Sequence, residues 1–167
     1  MSLLIVDGYN IINSWPEFES LRNESMELAR LKLVEILEEF TPLLWPKIIV
    51  VFDAYLVKGK PSSFDTQKGV EVVFTGEGQS ADAFIERLVT VMSESGEEAE
   101  VASSDYLEQR VVLWKGGRRL SARELRRYLK DTKVVLRKKY KENTFRNVLD
   151  EGLSEKTKKV LEDWRRR

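Results

Sequence analysis

The sequence has 167 residues, 42% hydrophobic and 34% charged, with 28 Lys+Arg against 28 Asp+Glu, a size and balance that fit one globular domain. It contains no Cys and no His, which excludes disulfide frameworks, thiol nucleophiles, thiolate or imidazole zinc sites and Ser-His-Asp triads. Chemistry must rest on carboxylates, hydroxyls, amides, Lys and Arg, and a catalytic metal held by such oxygens would be a hard cation such as Mg²⁺ or Mn²⁺.

In chain order, MSLLIVDGYN reaches Asp7 too soon for a signal peptide, and no apolar run approaches the ~20 residues that cross a bilayer. The expected compartment is the cytoplasm, with no membrane partner. Leu3–Val6, Ile48–Phe52 and Val70–Phe74 are short β-branched apolar runs, and Glu100–Ser103 is a weaker fourth; all four predict buried strands. Between them, Leu28, Leu31, Leu33, Val34, Leu37 and Phe40, then Ala83, Phe84, Leu88, Val91 and Met92, recur at the spacing of one buried helical face. This alternation predicts an α/β domain with a mainly parallel sheet covered on both sides. Residues 58–68 read as an exposed loop, and 76–78 and 115–117 as turns. Beyond residue 105 the pattern is helical: Tyr106–Leu113, Ala122–Leu136 or further after the cap candidate Ser121, and Glu155–Trp164 after Ser154. Residues 1–167 read as a single domain, with a C-terminal helical extension from about residue 142 that ends in Arg165–Arg167.

The zero net charge conceals an asymmetry: residues 1–114 carry 9 basic and 20 acidic side chains (9 − 20 = −11), and residues 115–167 carry 19 and 8 (19 − 8 = +11). If gathered on one face, the basic half is an electrostatic footprint for a polyanion; scattered, it is a set of solvated helix surfaces.

In open parallel sheets, function gathers beyond the carboxyl ends of the strands. Asp7, Asp53 and Asp105 each follow a predicted strand, and Asp82 lies in the first turn of the next helix. Each also has an ordinary explanation: a turn at Asp7-Gly8, loop amides at Asp53, the helix dipole at Asp82, and a capping box of Asp105 with Glu108. Together the four weaken that explanation, because carboxylates drawn to about 5 Å repel by roughly 3 kcal/mol per pair at an effective dielectric of ~20. A divalent cation reverses that sign, and such clusters suit metal-assisted phosphodiester hydrolysis without imidazole. Tyr9 and Trp114 can stack on unpaired bases, though packing is their more ordinary role. DGYNIIN after the first strand is neither a dinucleotide-binding glycine motif nor a P-loop. Asp53 as a phosphate acceptor lacks the accompanying acids and Lys of aspartyl phosphatases and receiver domains.

Five blocks, VDGYNIINSWP (6–16), VVFDAYLV (50–57), GVEVVFTGEGQSADAFIERL (69–88), SSDYLEQRVV (103–112) and RRLSARELRRYL (118–129), closely resemble, in order, the YacP-like branch of the NYN domain family, whose domain is PIN-like. The resemblance implies a three-layer α/β/α nuclease domain that binds Mg²⁺ or Mn²⁺ and cuts RNA; members of this branch include a ribosome-associated endoribonuclease acting on messenger RNA in the ribosomal A site. It implies Asp7, Asp82 and Asp105 as the principal catalytic and metal-binding acids, Asp53 as a further one, Asn10 as an orienting polar group, and Gly8 as the residue that lets the backbone turn close to the site. It implies RNA contacts at Arg118, Arg119 and Arg123, to which Arg126 and Arg127 are added from the same basic stretch; Arg123 can alternatively pair with an active-site acid. The expected function is metal-dependent endoribonuclease activity, with messenger RNA and the ribosome as partners. The alternatives are a non-catalytic RNA- or ribosome-binding module of the same fold, and a hydrolase of small phosphoesters.

Overall fold

A computed structural model describes residues 2–151 apart from 42, 58, 60 and 61, together with Glu155 and Lys159. The C-terminal helix expected over Glu155–Trp164 and the basic end Arg165–Arg167 otherwise lie outside the described residues. Contacts divide the chain into two units, Met1–Arg127 and Tyr128–Arg167.

The first unit holds β1 (Leu3–Asp7), α1 (Gly8–Ser14), α2 (Glu19–Glu24), α3 (Met26–Glu38), β2 (Ile48–Phe52), β3 (Phe64–Asp65), β4 (Val70–Phe74), α4 (Ala81–Glu94), β5 (Ala99–Ser103), α5 (Tyr106–Trp114), β6 (Arg118–Ser121) and the start of α6 (Ala122–Glu151). The strands form one sheet in the order β3-β4-β2-β1-β5-β6, parallel throughout except for β3. The four predicted strands form its centre, as expected of β-branched runs buried on both faces. In the second unit α6 continues to Glu151, with Val134, Val135 and Tyr140 exposed.

Alternation along β1 divides the core. Ile5 faces a cluster with Val51, Ala81, Ile85, Val89, Met92, Val101 and Val112, which brings α4 and α5 onto that side of the sheet. Leu4 and Val6 point the other way, where Ile11, Ile12, Leu33 and Leu37 of α1 and α3 are also fully buried. At about 1.5–3 kcal/mol for each large aliphatic side chain removed from water, this packing holds the strand ends in place against any repulsion between the acids they carry.

Several expectations require correction. In α3, Leu33, Val34 and Leu37 are buried, but Leu28 and Leu31 are about half exposed, so the buried stripe is narrower than the apolar spacing indicated. In α4 the buried stripe is Ala81, Ile85, Val89 and Met92, while Ala83 and Val91 face solvent. Arg118 to Ser121 is a sheet edge rather than part of a helical region, and β3 lies inside the expected loop. Both are short edge strands, which carry charged and polar residues because one side is open to water.

Candidate active site

Asp7 ends the central strand β1, on the same side as Ile5 by strand alternation, and is nearly fully buried. It also caps α1: its carboxylate accepts from the Asn10 backbone N–H at 3.3 Å and from Asn10 Nδ2 at 2.6 Å. The Asn10 Oδ1 accepts in turn from Ser104 Oγ at 2.6 Å, tying Asp7 to the loop after β5. Gly8 is required by packing: a Cβ there would lie 2.2 Å from Phe52 Cε1. The strand therefore passes straight into α1, without the turn expected at Asp7-Gly8.

Asp82 is carried by the first turn of α4, which Ser80 caps by accepting from the Ala83 N–H. Asp105 caps α5 by accepting from the Leu107 and Glu108 amides. Its expected capping-box partner, Glu108, does not reach back to it; the Asp105 N–H is satisfied by Ser103 Oγ at 3.0 Å. Glu108 is buried, accepts a hydrogen bond from Ser103 Oγ, and keeps its Oε1 without a hydrogen-bond partner.

One carboxylate oxygen from each of Asp7, Asp82 and Glu108 lies within 4.8 Å of the others. Glu108 is thus brought into the set, a position that sequence reasoning assigned only to helix capping. Asp105 and Asp53 lie around the three: the charges of both act on Asp82, while their own oxygens cap local turns.

The electrostatics reflect acids crowded together without a cation. Burial, partly offset by the Asn10 hydrogen bonds, raises the Asp7 pKa, and burial with the charges of Asp7, Asp105 and Asp53 raises that of Asp82. Burial and the Asp7 charge push Glu108 up to about 9, so at neutral pH it retains a proton. The set fits a divalent cation: three carboxylate oxygens converge within 4.8 Å of one another, the donor type that hard cations take, and Glu108 Oε1 has no hydrogen-bond partner that a cation would have to displace.

The basic residues separate. Arg123 and Arg126 line a groove with Ser14, Trp15, Ser104 and Gln109, next to the Asn10–Ser104 contact. Arg126 is paired with Glu17 at 2.6 Å, whereas Arg123 is exposed and makes no ion pair among the described residues, with an active-site acid or otherwise. Arg119 contacts Gln109 and Glu124, Arg127 is exposed, and Arg118 begins β6 beside Glu98, at the sheet's opposite end. Of the two aromatics singled out, Tyr9 packs against Phe52 and its hydroxyl accepts from Arg30. Trp114 instead is exposed, at the end of α5 away from the acids.

The model of the YacP-like NYN domain matches residues 4–166. The chain belongs to this family. It is 38% identical over 99% of its length to the YacP protein of Bacillus subtilis (strain 168), 98% of which is covered. The crystal structure of Rae1 (YacP) from Bacillus subtilis matches with a TM-score of 0.72 at 38% identity, over 99% of this chain and 95% of that one. Its W164L mutant gives 0.75 at 34% identity, over 90% and 89%. The α/β fold with its mostly parallel sheet is that of YacP, and the YacP-like NYN domain gives the chain a nuclease-like, RNA-related function. NYN nucleases typically depend on metal, and the acidic cluster here can hold one. Among the described residues no helix is long and apolar enough to cross a membrane.

Proposed function

We propose that the protein is a metal-dependent endoribonuclease that hydrolyses RNA phosphodiester bonds, with messenger RNA on the translating ribosome as its substrate. The observation that carries the reading is the convergence of Asp7, Asp82 and the buried Glu108, whose Oε1 has no partner, at the carboxyl rim of the sheet. Asp7, Asp82 and Glu108 would hold Mg²⁺ or Mn²⁺, with Asp105 and Asp53 adding negative charge around it. The cation supplies Lewis acidity, polarising the phosphoryl oxygens and acidifying water.

The remaining work falls to the chain. Asn10 is a positioning residue, fixing the Asp7 carboxylate through its Nδ2 and anchoring itself to Ser104. Arg123 and Arg126 offer the neighbouring groove to phosphates, while Arg118, Arg119 and Arg127 extend the basic surface. Attack by water on the phosphorus breaks the P–O3′ bond and leaves a 5′-phosphate and a 3′-hydroxyl; with no imidazole in the chain, water relays the protons.

The test is cleavage of 5′-labelled messenger RNA, free and engaged on translating ribosomes, in Mg²⁺, Mn²⁺ or EDTA. Wild type is expected to cut only with metal, and Asp7→Asn to bind RNA without cutting it. A 2′,3′-cyclic phosphate product overturns the mechanism. Salt-dependent ribosome binding with no cleavage in any condition makes the protein a binding module.

A further inference from the structure

On the β2/β4 side of the acid cluster lies a cavity of about 640 Å³, within the range of small-ligand sites. Asp53 from the end of β2, Tyr55, the turn Gly76–Gln79 and Ser80, the cap of α4, line it. Ser80 stands two residues before Asp82 and the Asp53 charge acts on Asp82, so the cavity adjoins the candidate metal site. Tyr55 is 93% exposed, with its backbone N–H held by Asp53 Oδ1 at 3.0 Å. The polar lining includes the carboxylates of Asp53 and Glu77 and the Gln79 amide, with no Lys or Arg among its described residues. These carboxylate and amide oxygens accept hydrogen bonds from N–H groups. The groove holding Arg123 and Arg126, on the β5/β6 side, has the opposite character.

We propose that this cavity seats the nucleobase next to the scissile phosphate, stacked on the Tyr55 ring with its Watson–Crick edge offered to Asp53 and Glu77. The proposal rests on the nuclease reading and adds a base-selective subsite to it. A carboxylate accepts two parallel N–H donors from guanine and one amino donor from adenine or cytosine; uracil's single N–H is flanked by carbonyls that a carboxylate repels. The subsite therefore prefers guanine and disfavours uracil, and, since stacking needs an unpaired base, it selects single-stranded RNA.

The test measures binding of a short oligouridine, with and without one central guanosine, to the full chain in the Asp7→Asn background, with Tyr55→Ala, Tyr55→Phe and Glu77→Gln added singly. Losing one stacked base is expected to cost Tyr55→Ala about tenfold in affinity, with Tyr55→Phe recovering it. Glu77→Gln should shrink the guanosine preference, lowering affinity for the guanosine-containing oligomer and raising that for oligouridine. Mapping cleavage sites with the same substitutions in the otherwise wild-type chain is the second readout, with loss of guanosine preference expected. Equal affinity of Tyr55→Ala and its parent, or an unchanged cleavage map in a protein that cuts, overturns the subsite and leaves the nuclease reading intact. A wild type that never cuts, combined with a binding loss specific to Tyr55→Ala, overturns the nuclease reading and leaves the subsite standing.

Discussion

Glu108 carries a proton at neutral pH because it shares a buried space with Asp7, and that has a thermodynamic consequence. The unfolded chain releases this proton near the ordinary value of 4.5, the folded protein only near 9, so between these limits the native state binds more protons. The stability of the metal-free protein should therefore fall as pH rises from about 5 to 9, which thermal melts in EDTA can follow. Glu108→Gln should flatten the profile; a wild-type melting temperature independent of pH across that window would show that Glu108 ionises normally. Adding Mn²⁺, which replaces the proton, should raise the wild-type melting temperature most at the alkaline end. Gly8 makes a separate point about precision: with Phe52 Cε1 2.2 Å from the position of a Cβ, Gly8→Ala must displace the ring or α1. Overpacking of this kind costs about 1–3 kcal/mol, readable by denaturant titration. Cleavage should fall with it, since the same residue starts the helix that holds Asp7.

The elements differ in how plainly the sequence declares them. β1, β2, β4 and β5 are legible because strands buried on both faces must be apolar and β-branched throughout. The acids Asp7, Asp53 and Asp105 are legible because they follow such strands. Edge strand β6 is hidden, since RRLS needs only one apolar position, and α1 is hidden because GYNIINS opens on glycine and has no apolar period. Glu108 is hidden for another reason: an acid three residues after a capping Asp already has a local explanation, and only the sheet that places Ser103 and Asp7 beside it reveals the other one. The missed strand also changes the expectation for the arginines. β6 sets Arg118 at the amino end of the sheet, whereas Arg123 follows its carboxyl end. Arg123→Glu should thus weaken RNA binding and reduce the slope of log K against log salt by about 0.7 for the lost contact. Arg118→Glu should do less, and equal effects in a salt titration of RNA binding would argue that RNA covers both ends.

For the whole molecule, the charge asymmetry of −11 and +11 sets two opposing fields on an approaching RNA. The basic half attracts the backbone; the acidic rim, to which Asp7, Asp82, Asp105 and Asp53 contribute charge, repels the phosphate that must lie over it. A bound divalent cation converts the rim from repulsive to attractive, so metal removal should weaken RNA binding as well as stop cleavage. The effect is best read in the wild-type chain, which keeps all three candidate cation ligands, by comparing its affinity for a non-hydrolysable RNA analogue in EDTA and in Ca²⁺ at matched ionic strength. Affinity is expected to be several-fold lower in EDTA at low salt. The gap should narrow as the screening length falls from about 30 Å at 0.01 M salt to about 10 Å at 0.1 M, because Asp82 is exposed. Adding Asp82→Asn removes both a repelling charge and a cation ligand, so it should raise the affinity in EDTA and lower that in Ca²⁺, closing the gap from both sides. If affinity is the same with and without the cation, RNA is held by the basic half alone and its path does not cross the acids.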